Sequence, residues 1–307
     1  MRYALLSGMW STSRRGINLG TGLLGKVKVG GSEPVAVMGV INLSSDSFFR
    51  GSVVRTDEVL PRAREMVEEG AKIVDVGAMA TGPRSSPVPQ ELELKLLIPA
   101  VKSIAKELDV TVSVDTQRSE VAAAAISAGA SVVNDVTGLK GDLGMVEVLK
   151  RTGSSAILMA ARRLPGDVLG IAEIKNALRR SLDICSEHGV SLRRVAVDPA
   201  VGHWPGRLAR LNSKKSRGGS YTPATSHDLE IIARLEEFRT LGRPLCVGIS
   251  RKSFVGEILE KHPDGRLCGS LAGAAIAVLN GASIIRTHDV KETVEAVRVA
   301  EAIRNAG

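Results

Sequence analysis

Residues 110–134 read V-T-V-S-V-D-T-Q-R-S-E-V-A-A-A-A-I-S-A-G-A-S-V-V-N, and this stretch decides the fold class. A short apolar run rich in β-branched residues stands at each end, and a longer segment of helical periodicity separates the two runs. Buried strands that alternate with helices are typical of βα units around a parallel sheet. The same alternation extends outward in both directions, from about residue 35 to the C-terminus.

Eight apolar runs of this kind can be counted, and we expect each to form a strand. They are Val35 to Asn42, Ile73 to Gly77, Val110 to Asp115, Ser131 to Asn134, Ala156 to Met159, Val195 to Asp198, Leu245 to Ile249 and Ser283 to Arg286. Eight strands separated by helices favour a closed barrel over an open doubly wound sheet. The expected fold is therefore α/β, a (β/α)8 TIM barrel with an N-terminal hairpin extension.

Capping signals locate two of the helices between these strands. Thr56 or Asp57 is expected to cap the first helix, which Gly70 ends. Asp289 is expected to cap the last helix, with Glu292 three residues further on.

Residues 1–34 precede the first expected strand and are rich in glycine around short alternating stretches such as Lys26 to Val29. We predict that this extension forms a β-hairpin that plugs the bottom of the barrel. The expected division is thus residues 1–34 as the extension and residues 35–307 as the (β/α)8 barrel.

Length and composition fit one globular barrel. The chain has 307 residues, 44% of them hydrophobic and 24% charged, so a large core can be buried. The three cysteines show no C-x-x-C spacing, which favours free thiols in a reducing compartment. The apolar stretch from Tyr3 to Leu6 is too short for a signal peptide, and a cytoplasmic location is expected.

The net charge of +8 is concentrated in one place. Residues 207–225 contain five basic side chains and no acid, namely Arg207, Arg210, Lys214, Lys215 and Arg217. We expect this basic stretch, residues 207–217, to form a loop on the active-site face. Because stacking aromatics are scarce near it, a nucleic-acid partner is not expected.

Polar residues stand where the expected strands end, which is where barrel active sites are built. At or just after these ends lie Asn42, Asp75, Asp115, Asn134, Asp198, Lys252, Arg286 and His288. Any one of them is explained equally well as a helix cap. Helix capping does not explain why all eight converge on one mouth of the barrel. Their convergence therefore predicts a functional site.

The chemistry of these residues divides them into two groups. Asp115, Asn134, Asp198 and Lys252 combine carboxylates, an amide and an ammonium, which suits a planar heterocycle with donor and acceptor edges. Arg286, His288 and Asn42, with Ser253 near a helix start, suit phosphate oxygens and a divalent metal. No G-x-S-x-G or H-E-x-x-H pattern is present, which disfavours covalent catalysis and zinc hydrolysis.

Seven motifs resemble those of the dihydropteroate synthases, a branch of the pterin-binding enzymes. In chain order they are G-V-I-N-L-S-S-D-S-F from Gly39, G-A-K-I-V-D-V-G from Gly70, S-V-D-T from Ser113, V-N-D-V-T-G from Val133, V-G-I-S-R-K-S from Val247, G-S-L-A from Gly269 and I-I-R-T-H-D-V from Ile284. The resemblance implies a Mg²⁺-dependent transferase of folate biosynthesis. Such an enzyme condenses 6-hydroxymethyl-7,8-dihydropterin diphosphate with p-aminobenzoate, or a ribosyl-phosphate arylamine, to give a dihydropteroate and pyrophosphate. It also implies a homodimer.

The same resemblance assigns roles by position. Asp75, Asp115, Asn134, Met159, Asp198 and Lys252 are implied to bind the pterin ring. Asn42, Arg286 and His288 are implied to bind pyrophosphate, with Asn42 and Asp46 at the metal. Phe48, Thr81 and Ser253 are implied to bind the arylamine. Asp115, Lys252, Arg286 and His288 are the expected catalytic residues, with Arg286 and His288 acting as a cationic pair, and the other four histidines should be dispensable for phosphate binding.

Departures from the family pattern surround the arylamine entrance and resemble the archaeal branch. Residues 77–83 read G-A-M-A-T-G-P, which keeps Thr81 but lacks the usual arginine, and whether Arg84 replaces it is open. Ala160 stands where the family has histidine, and Asp198 begins D-P-A-V-G-H-W-P-G instead of D-P-G-x-G-F-G-K. One hypothesis is that the basic stretch, with Arg162 or Arg163, binds a phosphate on the second substrate; a solvated loop is the alternative.

Two other functions are compatible with the resemblance. A pterin-binding methyltransferase shares the barrel and the ring-binding acids, but the S-R-K-S and R-T-H motifs disfavour it. A non-catalytic pterin-binding paralogue is the other alternative, since the loops are altered.

Overall fold

A computed structural model describes residues 20–43, 54–55, 57–79, 88–212 and 220–306. Its strands are β1 (Gly22–Leu24), β2 (Val27–Val29), β3 (Ala36–Asn42), β4 (Ile73–Gly77), β5 (Thr111–Asp115), β6 (Val132–Asp135), β7 (Ser155–Met159), β8 (Val195–Asp198), β9 (Cys246–Gly248) and β10 (Ile284–Thr287). Its α-helices are α1 (Val59–Glu68), α2 (Gln90–Glu107), α3 (Ser119–Ser127), α4 (Gly144–Thr152), α5 (Gly170–Glu187), α6 (Pro205–Asn212), α7 (Pro223–Ala233), α8 (Ser253–Leu259), α9 (Leu267–Leu279) and α10 (Val290–Ala306).

The strands β3 to β10 form one eight-stranded parallel sheet in the order β8-β7-β6-β5-β4-β3-β10-β9. An isolated parallel bridge between Val197 and Leu245 brings β8 against the segment that leads into β9. The backbone N–H of Val197 donates to the carbonyl of Pro244 at 2.9 Å, so the ring of strands closes. The (β/α)8 TIM barrel is confirmed, and all eight expected strands lie within one residue of their predicted limits.

The barrel interior has an apolar layer toward the N-terminal ends of the strands. This inner layer consists of Ala36, Met38, Ile73, Val132, Ile157, Ala196, Cys246 and Ile284, all at most 2% exposed. The helices cover the outer faces of the strands and form a second, larger hydrophobic core with them. A branched aliphatic layer of this kind fills a barrel and leaves no pore.

An antiparallel hairpin of β1 and β2 closes the N-terminal end of the barrel. Leu24 and Val29 on the hairpin are fully buried and pack in the same cluster as the inner layer. The N–H of Gly25 donates to Ser155 Oγ at 3.0 Å, and Ser155 Oγ donates to the carbonyl of Leu23 at 2.9 Å. These contacts support the hairpin plug, while the division of the chain at residue 34 stays a prediction.

Three local predictions are corrected by the structure. The first helix follows Glu58 and begins at Val59, and the Asp57 carboxylate pairs with Arg55, so Asp57 is not its cap; Thr56 lies outside the described residues. Asp289 directly precedes α10 as predicted, but its carboxylate accepts hydrogen bonds from Arg251. The first residues of the basic stretch, as far as Asn212, belong to helix α6, whereas a loop was predicted for them.

All three cysteines are free thiols, of which Cys185 and Cys246 are buried. Among the described residues, no helix has the length and apolarity needed to cross a bilayer.

Prediction for the plug. Leu24→Ala should lower the free energy of unfolding by about 2 to 5 kcal/mol, because a fully buried leucine would leave a cavity over the inner layer. Urea denaturation measures this change. The exposed Lys28→Ala on the same hairpin is the control and should stay within about 0.5 kcal/mol of wild type. Equal stability of the two variants would show that the hairpin does not close the barrel.

Candidate active site

The site lies one layer above the inner layer, at the C-terminal ends of the strands. Side chains on a strand alternate between its two faces, so the residue two positions after each inner-layer residue also points inward. Ile73, Val132, Ile157, Ala196, Cys246 and Ile284 are followed in this way by Asp75, Asn134, Met159, Asp198, Gly248 and Arg286. Pairing of Gly77 with Asp115, and of Asp115 with Asn134, aligns the strand ends at one level.

Arg286 lies at the centre of this polar layer and bridges two carboxylates. Its Nε donates to Asp75 Oδ2 at 2.7 Å, and its Nη2 donates to Asp115 Oδ2 at 2.8 Å. Asn134 Nδ2 also donates to Asp75 Oδ2, at 3.2 Å. Arg286 therefore joins the residues that were expected to bind a heterocycle to those that were expected to bind phosphate.

Asp75 holds an acceptor that no group in the described part of the chain satisfies. Its side chain is fully buried, and Oδ1 has no hydrogen-bond partner there. A buried acceptor without a donor costs about 1 to 3 kcal/mol, and a site that leaves one in place is suited to a ligand N–H group. The neighbouring Ser113 Oγ is buried and unsatisfied in the same way.

Burial raises the pKa of Asp115 to about 7. The Arg286 guanidinium opposes this rise by favouring the carboxylate, whereas the neighbouring Asp75 adds to it. Asp115 can therefore exchange a proton near neutral pH, and its charge depends on what binds beside Arg286.

A second pair, Asp198 and Lys252, occupies the opposite side of the mouth. Asp198 Oδ1 accepts the N–H of Ala200 at 2.7 Å, and Lys252 Nζ donates to the carbonyl of Val201. Burial raises the pKa of Asp198 and lowers that of Lys252, and the attraction between the two charges opposes both shifts. A Cβ on Gly248 would lie 3.5 Å from Lys252 Nζ and 3.8 Å from Arg286 Cβ, so the Lys252 ammonium and the base of the Arg286 side chain flank the same glycine.

Burial and the charge of Arg286 together lower the pKa of His288 to about 3. An imidazole with this pKa is neutral near pH 7, which differs from the expected cationic pair with Arg286. His288 Nδ1 lies 2.9 Å from Ser250 Oγ. Behind it, Arg251 pairs with Asp289 at 2.7 Å. Sequence reasoning missed these supporting residues, although they stand in the quoted S-R-K-S and R-T-H-D motifs.

The remaining predicted residues are placed as follows. Asn42 ends β3 opposite Gly77, Met159 ends β7 opposite Asp198, and Ser253 is the first residue of α8. Asp46, Phe48, Thr81 and Arg84 lie outside the described residues. Within the described residues, no three His, Cys, Asp or Glu side chains group around a possible metal position.

Two arginines of the basic stretch are engaged in ion pairs, so the interpretation of that whole stretch as a solvated loop is wrong. Arg207 is fully buried and contacts Asp228 at 3.0 Å, and Arg210 contacts Glu173 at 2.6 Å. Neither ion pair carried a signal in the sequence, because Asp228 lies 21 residues from Arg207 and Glu173 lies 37 residues from Arg210. Lys214, Lys215 and Arg217 lie outside the described residues.

The other histidines differ in their surroundings. His203 Nε2 lies 3.2 Å from Thr225 Oγ1, and His227 accepts the N–H of Gly170 at 2.8 Å. His188 and His262 are exposed. Their dispensability for phosphate binding stays a prediction.

Comparisons with known proteins agree on one family. A family model described as pterin binding enzyme matches residues 38–288. The chain is 36% identical over 280 residues to the dihydropteroate synthase of Escherichia coli K12, covering 88% of this chain and 92% of that protein. It is 33% identical over 279 residues to the dihydropteroate synthase of Bacillus subtilis, covering 90% of each. A dihydropteroate synthase of Coxiella burnetii, solved in complex with pteroic acid, superposes with a TM-score of 0.78 at 34% identity and covers 94% of this chain and 100% of that one.

Prediction for the charge cluster. Asp75→Asn should lower the pKa of Asp115 below 7, because it removes a like charge, and Arg286→Met should raise it, because it removes the stabilising cation. Carbon-13 NMR of labelled aspartate carboxyl groups measures both shifts. Lys252→Met is the control, since Lys252 acts on Asp198. Shifts of equal sign in the first two variants would contradict the arrangement.

Proposed function

This chain belongs to the pterin-binding enzyme family, and we propose that it is a transferase that catalyses the dihydropteroate synthase reaction. It joins 6-hydroxymethyl-7,8-dihydropterin diphosphate to an arylamine and releases pyrophosphate. The observation that carries the proposal is the hydrogen-bonded cluster of Asp75, Asn134, Asp115 and Arg286, in which Asp75 Oδ1 accepts no hydrogen bond from the described residues.

The pterin ring is recognised by the polar layer. An aminopyrimidine presents adjacent N–H donors, as a guanidinium does, so a carboxylate is its natural partner. Asp75 Oδ1 supplies the free acceptor, and Asn134, Asp115 and Asp198 supply further acceptors or donors around the ring. Lys252 donates to a ring acceptor, and the buried Met159 packs against the ring.

The diphosphate is bound by Arg286, His288 and Asn42. Arg286 is largely buried and keeps its charge between two acids, so it presents a fixed cation to the anion. A neutral His288 donates a hydrogen bond through one ring nitrogen. Because Arg286 touches both Asp75 and Asp115, it connects the ring side of the site to the diphosphate side.

Asn42, with Asp46, would hold Mg²⁺ against the diphosphate. Mg²⁺ keeps several waters and usually takes one or two carboxylates plus substrate phosphates, so a single oxygen ligand among the described residues fits it. When bound, the metal neutralises charge on the leaving group.

The proposed reaction depends on the positioning of the two substrates and on electrostatic stabilisation of the charges that develop. The C–O bond between the pterin methylene and the diphosphate breaks, the arylamine nitrogen forms the new C–N bond, and a proton leaves the nitrogen. Asp115, as carboxylate, stabilises positive charge that develops on the pterin, and Arg286 stabilises the departing pyrophosphate. With a pKa near 7, Asp115 is also able to accept the released proton.

The second substrate is p-aminobenzoate, bound by Phe48, Thr81 and Ser253. The alternative, a ribosyl-phosphate arylamine, needs unpaired cations at the entrance. Arg207 and Arg210 are engaged with Asp228 and Glu173, which leaves the exposed Arg162 and Arg163, together with Lys214, Lys215 and Arg217, for that role and favours the simpler arylamine.

We further propose a cytoplasmic homodimer. Three thiols outside any disulfide fit a reducing compartment. Ile276 on α9 is 48% exposed, and Val299 and Ile303 on the adjacent α10 are about 60% exposed, which supports this apolar face as the contact between two copies.

Prediction for the reaction. With Mg²⁺, the protein should form dihydropteroate and pyrophosphate from the two substrates. Lys252→Ala and Asp198→Ala should each cost at least about 2 kcal/mol, or roughly 30-fold in kcat/KM, because each leaves a desolvated partner unpaired. Lys26→Ala and Asp109→Ala remove an ion pair at the other end of the barrel and are the controls. Pterin binding without pyrophosphate release would identify a non-catalytic paralogue, and unchanged turnover in folded Asp198→Ala would refute the site.

Prediction for the second substrate. The protein should use p-aminobenzoate at least as well as its ribosyl 5-phosphate derivative, and Lys214, Lys215 and Arg217 changed together to Ala should not alter the ratio of kcat/KM values. The measurement is steady-state kinetics at low salt, where capture of an anion by exposed charges is strongest. A preference for the phosphate that the triple variant abolishes would reverse the assignment.

A further inference from the structure

The loop after β8, residues 199–204, has a backbone that needs support. Ala200 has φ of +64° and Gly202 has φ of +130°. A left-handed conformation at a non-glycine residue costs about 1 to 2 kcal/mol, so neighbouring contacts must hold this loop in place. Ala200 is one of the departures from the family pattern.

A buried ion pair clamps the Gly202 peptide from both sides. The N–H of Gly202 donates to Asp228 Oδ1 at 2.8 Å, and its carbonyl accepts from Arg207 Nη1 at 2.8 Å. The same Arg207 nitrogen lies 3.0 Å from Asp228 Oδ1, and both side chains are fully buried. Helices α6 and α7 thus fix the two peptide groups on either side of the Gly202 Cα.

The same peptide group that donates its Gly202 N–H to Asp228 presents its carbonyl, that of Val201, to Lys252 Nζ. The ring centroid of Trp204 lies 5.9 Å from the same ammonium, within the range of a cation–π contact, and Trp204 Nε1 donates to the carbonyl of Ala200 at 3.0 Å. Gly166 makes room for the indole, because a Cβ there would lie 2.2 Å from Trp204 Cγ.

We propose that the Arg207–Asp228 ion pair and Trp204 are positioning residues that fix the ammonium of Lys252 for pterin recognition. A lysine side chain has large rotamer freedom, and ordering it before the ligand arrives removes an entropic cost from binding. The inference rests on the proposed role of Lys252 at the pterin ring. None of the three residues touches the substrate in this proposal; they act through the loop and Lys252.

The competing interpretation is that the ion pair only stabilises the fold. The two interpretations can be separated, because single and double replacements of a buried ion pair affect stability differently. Removing one partner leaves an unpaired buried charge and destabilises strongly, whereas replacing both with apolar residues of similar size is often neutral. Arg207→Met combined with Asp228→Leu should therefore fold while losing the clamp. Trp204→Leu removes the aromatic face alone, and Trp204→Phe retains one.

The matched control is the Arg304–Glu301 pair at the other end of the barrel. Glu301 Oε1 accepts the N–H of Val35 at 2.8 Å and a hydrogen bond from Arg304 at 3.2 Å, so it also holds a backbone peptide, far from Lys252. Arg304→Met with Glu301→Leu repeats the same chemical change there.

Steady-state kinetics should show a KM for the pterin diphosphate raised about tenfold in the clamp double variant, equivalent to about 1.4 kcal/mol. The KM for the arylamine should stay within about twofold, the control pair should match wild type, and Trp204→Phe should recover most of the loss of Trp204→Leu. A folded clamp variant with an unchanged pterin KM, or equal rises in both KM values, overturns the proposal.

A substrate-free measurement separates this proposal from the proposed function. In protein with carbon-13-labelled lysine, the Lys252 ε-carbon resonance, assigned with Lys252→Met, should move in the clamp variant and stay in the control. An unmoved resonance overturns the positioning role, even if the wild type makes no dihydropteroate. If the double variant does not fold, Trp204→Leu, compared with Trp204→Phe, takes its place in both measurements.

Discussion

The arrangement of this molecule depends on the two-residue alternation of side chains inside a closed barrel. Four strands place an apolar residue inside the barrel, such as Ile73 or Ile284, and a polar one two positions later, such as Asp75 or Arg286. Because the strands are parallel and in register, the apolar residues form one layer and the polar residues form the next. The core that stabilises the barrel is therefore also the floor of the candidate site.

Placing several charges over an apolar floor requires that they balance one another. Arg286 compensates two carboxylates, and Lys252 and Asp198 oppose the effects of each other's burial. The balance is incomplete, since burial still raises the pKa of Asp115 to about 7 and leaves one oxygen of Asp75 unpartnered. A ligand with N–H donors and a nearby anion gains most binding free energy at Asp75 and Asp115, because it supplies the hydrogen-bond donors and the charge that the described residues do not provide.

Surrounding groups hold this layer from outside. Ser250, Arg251 and Asp289 lie behind His288, and Arg207 and Asp228 lie behind the loop that contacts Lys252. In both sets the segment that follows one strand supports a site residue that follows another: Ser250 after β9 contacts His288 after β10, and the loop after β8 contacts Lys252 after β9.

The eight strands, the barrel and the residues at the strand ends could be predicted from the sequence, because strand burial and βα alternation are local patterns along the chain. The same patterns predicted that Asp75, Asp115, Asn134, Asp198, Lys252 and Arg286 lie at one mouth of the barrel. Three features required the folded structure: Arg286 binds Asp75 and Asp115, 211 and 171 residues away, the pKa of His288 is lowered to about 3, and Arg207 is a buried partner of Asp228. Pairing and protonation depend on distances and burial in three dimensions, and residues distant in sequence carry no local mark of either.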